Sequence, residues 1–433
     1  MANKNDIITL TGGIDVGNGY TKGVIKNTLT DVFDEIDLPS AVVSTSRQSP
    51  KVPLADNTAT EVVLGEDYYN RLDATMTTTL VAASDRRIFG RAALSVRGSK
   101  FTEFEVVGKH SKVDQELTKV LVLGVFAAKA LRDHVREYGA LPDYELNVQV
   151  RAGLALPISE FVARRHAYAA EFMGALGAAD PAVHLVTIKN FATPVSVRLR
   201  FVDVQVLAEG ASAQFAITDK GEPLAHALLE DLRSRDAKIV EGVTAQDLIA
   251  VRNTISVDVG EGTVNFPVFT DGRFNPEAAS TLDEGYGTAL INALERMTES
   301  DPQLQFGSRK KLADFLQSEP SVLTRGRHGK AAGYVEDEAS YLVANIVSAF
   351  GDVFAQAGAT TEVVYVYGGG AGPIKHLLYP ALREAAGEIP VLYLDSSYSR
   401  HLNREGLYIA ARHVQELEEQ EASSRGTKQK VSA

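Results

Sequence analysis

The stretch Gly13-Ile14-Asp15-Val16-Gly17-Asn18-Gly19-Tyr20-Thr21-Lys22 decides how the chain is interpreted. It lies between the apolar runs 7–10 and 23–25, so we predict a tight turn between two strands. Glycines let such a turn approach a ligand closely, and its successive N–H groups can bind an anion. Asp15 is suited to hold Mg²⁺ through water, and Lys22 to reach a phosphate. Gly-rich hairpins are common, however, and one alone does not indicate a ligand.

A second copy of the pattern strengthens this interpretation. Val257-Asp258-Val259-Gly260-Glu261-Gly262-Thr263 follows a predicted strand and precedes another, at 264–269. Asp271-Gly272 then predicts a hairpin turn. Two such loops, each with backbone donors and one carboxylate, predict a duplicated domain that binds one polyphosphate from both sides.

Length and composition limit the functional classes. A chain of 433 residues is long enough for two domains of about 200 residues each. The net charge of −12, without a broad basic face, argues against direct binding of nucleic acid. The absence of cysteine excludes disulfides and thiolate metal sites. We find no signal-peptide pattern and no apolar run of membrane-spanning length, and we therefore expect a cytoplasmic protein without membrane contact.

Three further segments are candidates for the same site. Period-two alternation from Val195 changes face at 201–202, which predicts a β-bulge in a strand that ends at Ala208-Glu209-Gly210, before a helix. A buried strand at 363–367 leads into Gly368-Gly369-Gly370-Ala371 and a helix, a suitable place for a nucleotide. Asp283-Glu284-Gly285 opens another helix and could meet ribose or adenine, although helix capping explains Asp283 equally well.

The remaining predictions concern local structure. We expect a strand at 61–64 and a long helix at 113–138 with a capping arrangement of Ser111 and Asp114. The segment 324–333 has four basic residues among glycines and is predicted to be a solvated loop, with a filament or partner contact as the alternative. The polar chain from 419 is predicted to be disordered.

Together these motifs resemble the actin-like ATPase superfamily, which includes actin, sugar kinases and heat-shock chaperone ATPases. The best match is the ParM-like branch of bacterial plasmid-segregation proteins, because Asn403-Arg404-Glu405-Gly406-Leu407-Tyr408 is similar to its Asn-x-x-Gly-aromatic stretch. The resemblance implies an α/β, actin-like fold in which two duplicated α/β domains with ribonuclease-H-like mixed sheets flank a nucleotide cleft. Domain I would be 1–210 completed by 396–418, domain II would be 211–395, and 419–433 would be a disordered tail.

The resemblance also implies roles for individual residues. Glu209 would position the attacking water, while Asp15 and Asp258 would act in catalysis and hold the metal. The first phosphate loop, the second phosphate loop and the adenosine segments would bind the nucleotide through Gly17, Asn18, Gly19, Tyr20, Lys22, Gly260, Glu261, Gly262, Thr263, Glu284, Gly285, Gly368, Gly369, Gly370 and Ala371. The sequence departs from the family pattern in several places. Glu261 stands where a small residue is common, Asn265 replaces a frequent Asp, Leu407 precedes the aromatic residue, and the helical insertion at about 221–254 is long.

The implied function is a filament-forming ATPase that uses ATP, or alternatively GTP, with Mg²⁺. It would assemble with itself and segregate plasmid DNA, or position phage or prophage DNA, through a DNA-binding adaptor. The main alternative is a small-molecule, sugar-type kinase of the same superfamily, for which we find no motif supplying a general-base Asp and a sugar pocket. A chaperone ATPase would need a substrate-binding domain after residue 418, and a nucleotide-binding scaffold without enzymatic activity also stays open.

Overall fold

The computed structural model describes residues 7–45, 53–81, 86–96, 112–174, 181–394 and 396–431, with side chains in the last helix up to residue 416. The chain divides into two compact units. Unit 1 comprises Met1–Ala208, Ser212–Ala216 and Leu402–Ala433, and unit 2 comprises Glu209–Ala211 and Ile217–His401.

Strands and helices occur in both halves of the chain, partly as runs of successive strands. Up to Ala208 they are β1 (Ile7–Val16), β2 (Tyr20–Asn27), β3 (Val32–Pro39), β4 (Val42–Thr45), α1 (Ala59–Leu64), β5 (Asp73–Thr77), β6 (Arg86–Phe89), α2 (Gly90–Leu94), α3 (Glu116–Tyr138), β7 (Leu146–Leu156), α4 (Ile158–Met173), β8 (His184–Ile188) and β9 (Val195–Ala208). From there they are α5 (Ala211–Arg235), α6 (Ala245–Ala250), β10 (Thr254–Val259), β11 (Val264–Phe266), β12 (Val268–Thr270), β13 (Arg273–Phe274), β14 (Ser280–Leu282), α7 (Tyr286–Ser300), α8 (Arg309–Gln317), α9 (Arg325–Ala357), β15 (Val363–Tyr367), α10 (Lys375–Ala385), β16 (Val391–Tyr393), α11 (Ser396–Ser399) and α12 (Leu402–Val431).

Unit 1 is a mixed sheet with helices on both faces. Its strand order is β3-β2-β1-β7-β9-β8-β5-β6-β4, and β7 pairs in parallel with both β1 and β9. Successive residues of a strand face opposite sides of the sheet. In β1, Gly12 faces Phe126 of α3, whereas Gly13 faces Tyr408 of α12. The buried apolar residues of α3 and the sheet form one continuous core.

The predicted β-bulge is present in β9. Val150 of β7 pairs with Phe201, but the next residue, Arg151, pairs with Asp203. Val202 is therefore the extra residue, and its side chain is 45% exposed. Because of this extra residue, the buried positions change from odd-numbered residues up to Phe201 to even-numbered ones, such as Val204. The predicted β-bulge is confirmed.

Unit 2 is built around β10, which is buried along its whole length. β10 pairs in parallel with β15 and antiparallel with β11 and β12, and β15 pairs with β16. The predicted turn between β12 and β13 is confirmed, since Asp271 and Gly272 both have positive φ, 51° and 75°. Pro267, which has no N–H to donate, lies between β11 and β12, where one continuous strand is predicted.

The prediction of a solvated loop at 324–333 is wrong, because α9 begins at Arg325. Ala331, Val335 and Ala339 are buried at intervals of four residues. Their packing outweighs the cost of the interspersed glycines, which is about 1 kcal/mol each in a helix. By length and composition alone, α9 is long and apolar enough to cross a membrane, although no apolar run of that length is expected from the sequence; a single helix of this kind is weak evidence of a membrane span.

Three other local predictions can be compared with the structure. The segment 61–64 is helical rather than extended, because Ala59 and Val63 of α1 are buried at helical spacing. Ser111 lies outside the described residues, and α3 begins at Glu116 without a side-chain cap. α12 continues to Val431, so the chain is helical over most of the segment where a disordered tail is predicted; its Glu, Gln, Ala and Lys residues favour a helix.

Candidate functional site

The two glycine loops adopt the same hydrogen-bonded turn. In loop 1 (Gly17–Tyr20) the Gly17 amide donates to the Tyr20 carbonyl at 3.1 Å, and in loop 2 (Gly260–Thr263) the Gly260 amide donates to the Thr263 carbonyl at 2.9 Å. Each turn closes an antiparallel hairpin. Asp15 pairs with Lys22 in the first hairpin, and Asp258 pairs with Asn265 in the second. The sequence repeat is therefore a structural repeat, with one carboxylate at the same place in each copy.

Loop 1 belongs to unit 1 and offers donors suited to an anion. The amides of Asn18 and Gly19 donate no hydrogen bond to the described part of the chain. Lys22 pairs with Asp15 on one side and Asp37 on the other, so the three side chains form a row on one face of the sheet. The loop thus combines available N–H groups with a cation on the adjacent strand.

Loop 1 is held in place by Ser40, which the sequence analysis did not identify. The Ser40 hydroxyl donates to the Gly17 carbonyl at 2.6 Å, and its amide donates to the Gly19 carbonyl at 2.9 Å. The hydroxyl also lies 2.9 Å from that of Thr21. Ser40 and Thr21 are both buried. A lone Ser after a strand gives no sequence signal for this contact, because it depends on the fold.

Loop 2 belongs to unit 2 and is held by backbone instead. The Gly370 amide donates to the Val259 carbonyl at 2.8 Å, the Tyr286 amide to the Gly260 carbonyl at 3.0 Å, and the Gly287 amide to the Glu261 carbonyl at 2.8 Å. The structure therefore brings together three predicted nucleotide-binding segments of this unit: Gly260–Thr263, Glu284–Gly285 and Gly368–Ala371.

The close packing at loop 2 leaves no room for a side chain at Gly285 or Gly368. A Cβ on Gly285 would lie 2.6 Å from the carbonyl of Glu261. A Cβ on Gly368 would lie 2.5 Å from Asp258 Oδ1, and the φ of Gly368 is +99°, a conformation that L residues rarely adopt. The glycines at 285 and 368 thus allow close packing of these segments on loop 2 and on Asp258.

Asp258 also neighbours the turn that contains Glu209. Its side chain is 5% exposed, and a Cβ on Gly210 would lie 3.3 Å from its Oδ2. The Tyr367 hydroxyl donates to the Gly210 carbonyl at 2.9 Å. Burial, reinforced by the negative charge of Asp258, raises the pKa of Tyr367 well above its ordinary value, so the phenol stays neutral and keeps donating. Glu209 lies in this turn, just before α5, rather than within the helix.

Glu261 and Glu284, both predicted to bind nucleotide, have side-chain partners that the sequence did not indicate. Arg309, the first residue of α8, forms an ion pair with Glu261 at 3.3 Å. Asn345 of α9 donates to Glu284 at 2.8 Å. Both partners are far from the loops in sequence, and neither position carries a recognisable motif.

The stretch 403–408 packs α12 against unit 1. Gly406 abuts the backbone of Ser212, where a Cβ would overlap the Ser212 carbonyl oxygen. The Ser212 hydroxyl donates to the Asn403 side-chain oxygen at 3.0 Å, and Leu407 is fully buried. A Cβ on Gly13 would lie 2.5 Å from the Arg404 carbonyl oxygen. The motif therefore lets the helix lie directly on β1, the strand that carries Asp15.

Comparison with solved structures identifies the fold as actin-like, as predicted. No protein-family model matches the sequence, and no curated protein matches it either. The structure of the actin-like protein Alp7A is similar with a TM-score of 0.65 and 14% identity, over 97% of this chain and 100% of that one.

Two further structures show the same fold. The archaeal actin homologue Ta0583, in complex with ADP, has a TM-score of 0.57 and 14% identity, over 94% of this chain and 100% of that one. A non-polymerisable quadruple mutant of pCBH ParM has a TM-score of 0.54 and 14% identity, over 94% and 99% of the two chains. The chain therefore has an actin-like α/β fold.

Proposed function

We propose that this protein is a nucleotide-dependent, filament-forming ATPase. The observation that carries the proposal is the repeated turn at Gly17–Tyr20 and Gly260–Thr263, with a carboxylate at the same place in each hairpin. Its support comes from the actin-like fold, which the protein shares with an ADP complex of Ta0583 and with a ParM variant described as non-polymerisable.

In this proposal each loop is a phosphate-binding element. The amides of loop 1 and loop 2 bind the phosphates, Lys22 neutralises charge, and the segments at 284–285 and 368–371 bind the nucleoside. Donors of this kind act mainly by positioning the phosphates and stabilising charge, which is most of what phosphoryl transfer requires. Glu209 orients the attacking water or accepts its proton. The place of Glu209, in a turn beside the buried Asp258, supports this assignment.

Asp15 and Asp258 would hold Mg²⁺, which supplies charge stabilisation at the phosphates when bound. The carboxylate oxygens are the ligand type that Mg²⁺ prefers. Among the described residues there is no group of three or more acidic, His or Cys side chains that could hold a metal. Two carboxylates suffice for this ion, since Mg²⁺ usually keeps several waters and binds substrate phosphates.

The cellular role follows from the same resemblance. We propose that head-to-tail filaments of a cytoplasmic protein move plasmid DNA, or phage or prophage DNA, through an adaptor that binds the DNA. The net charge of −12 supports an adaptor rather than direct contact with DNA.

Sedimentation and electron microscopy of the purified protein test the proposal. Polymer should form with Mg²⁺ and ATP, or GTP, and phosphate should be released in the absence of any sugar. Glu209→Ala should still assemble, but release phosphate about 100-fold more slowly and disassemble later. The exposed Glu222→Ala is the matched control and should behave as the wild type.

Absence of polymer together with sugar-dependent nucleotide consumption would instead favour the kinase. Equal phosphate release by wild type and Glu209→Ala would contradict the role of Glu209 and point to a nucleotide-binding scaffold.

A further inference from the structure

The start of α9 carries an unusual exposed surface. Val322 is 81% exposed and Leu323 is 92% exposed, and no other large apolar side chain in the described part of the chain is as exposed as either. Arg325 and Arg327 follow directly and are also exposed. We call these four residues the 322–327 patch. Isolated exposed apolar residues are normal, but an adjacent pair at this exposure, beside two arginines, needs an explanation.

The patch is held in one conformation. The amide of Arg325 donates to the Ser321 carbonyl at 2.9 Å, and the amide of Thr324 donates to the Ser321 hydroxyl at 3.2 Å. One turn later, the His328 ring lies against Phe315 and its Nε2 is 3.2 Å from the Leu316 carbonyl, which ties α9 to α8. The two apolar side chains are therefore presented to solvent by an ordered turn.

The charge of the patch is not neutralised within unit 2. Arg325 and Arg327 have no ion-pair or hydrogen-bond partner for their side chains among the residues that the structure describes. Lys330, one turn further along α9, does have a partner, since it pairs with Asp301 at 3.2 Å. A partner surface for the patch should therefore be acidic with an apolar centre.

We propose that the 322–327 patch binds the acidic surface of a second copy of this chain in a head-to-tail contact. The chain has 56 acidic and 44 basic residues, so a second copy offers a predominantly acidic surface. Patch-to-patch contact would place four guanidinium groups together, and their repulsion disfavours a two-fold symmetric dimer through this surface. A contact between unlike surfaces does not close on itself and propagates as a filament. The inference rests on the proposed filament function and assigns a surface to it.

The test compares Leu323→Asp and the double variant Arg325→Glu/Arg327→Glu with wild type by sedimentation. The critical concentration for assembly should rise about tenfold or more, as for loss of a central contact residue. Leu29→Asp is the matched control, because Leu29 is 71% exposed and lies in unit 1. It should assemble as wild type does. All variants should bind nucleotide with wild-type affinity, which separates assembly from nucleotide binding.

A mixing experiment distinguishes the head-to-tail contact from other associations. A variant that lacks one of two unlike surfaces can still join one end of a filament, and it then blocks growth there. Leu323→Asp added at about one part in twenty to wild type should therefore shorten the filaments. Unchanged filament length, or equal loss of assembly in Leu29→Asp, would overturn the proposal.

Other outcomes are separable. If wild type forms no polymer with any nucleotide, both the proposed function and the inference are wrong. If wild type polymerises and Leu323→Asp polymerises equally well, only the inference fails. If Leu323→Asp assembles normally but loses binding to phosphatidylglycerol-containing vesicles that wild type shows, the patch contacts lipid, and the proposal is wrong.

Discussion

Loop 1 and loop 2 have the same turn but are stabilised by different means. Loop 1 is held by a buried side chain, Ser40, and has a lysine opposite its carboxylate. Loop 2 is held by the backbone of two other glycine-rich segments and has a buried asparagine opposite its carboxylate. The two halves of a repeat can therefore keep the geometry of a turn while the surroundings, and the charge that each loop offers, become different.

The difference implies that the residues opposite the two carboxylates cannot be exchanged. Asn265 is 4% exposed and accepts a hydrogen bond from the Thr281 hydroxyl at 2.8 Å. Lys22 is half-buried at the corresponding place in loop 1. Loop 2 is thus a packed site and loop 1 a more open one.

Asn265→Lys should have the largest effect. A lysine is too long for the space that the asparagine fills, its ammonium would be taken out of water, and Thr281 would lose its acceptor. We expect the free energy of unfolding to fall by about 4 kcal/mol. Chemical denaturation measures the change. Gln303→Lys, which replaces an exposed amide in the same unit, should be neutral. A stable Asn265→Lys protein would mean that the ammonium pairs with Asp258 and that the loops are interchangeable.

Gly368→Ala should have the next largest effect. The new Cβ would meet Asp258 Oδ1 and the backbone of Val259, and the positive φ of this residue adds strain. We expect a loss of about 3 kcal/mol in unfolding free energy. Thermal denaturation of the purified variant measures it.

Gly372→Ala is the matched control for this change. It lies four residues later on the same segment, and a Cβ there would have nothing within 4 Å. If both variants melt at the wild-type temperature, the close packing of the 368–371 segment on loop 2 is not a constraint on the sequence.

Much of the fold could be predicted from local patterns in the sequence. The two hairpins follow from Asp-Val-Gly-x-Gly between apolar runs, and the bulge at Val202 follows from the change of face in β9. Such features depend on residues that are neighbours in the chain. The residues that hold the loops in place could not be predicted in this way, because Ser40 and Arg309 act through contacts that exist only in the folded protein.

The start of α9 shows why a local rule can fail even when the signal is present. Three glycines at 326, 329 and 333 predict a loop, since each lowers helix stability. The residues Ala331, Val335 and Ala339 repeat every fourth position and are buried. Packing of that stripe decides the structure, and the spacing of the apolar residues would have predicted it better than the glycines did.

Lys22→Asn should have the smallest effect on stability and still change the function of loop 1. It makes loop 1 resemble loop 2 at the position opposite the carboxylate, and because Lys22 is not fully buried we expect the unfolding free energy to change by less than about 0.5 kcal/mol. If Lys22 contacts a phosphate, the Kd for Mg²⁺–ATP should rise about tenfold, the effect of losing one hydrogen bond to a charged group. Equilibrium titration with a fluorescent ATP analogue measures this. Lys26→Asn, which lies four residues further along β2, should bind as wild type does. An unchanged Kd in Lys22→Asn would show that the lysine does not distinguish the two loops in nucleotide binding, and that the amides alone carry the contact.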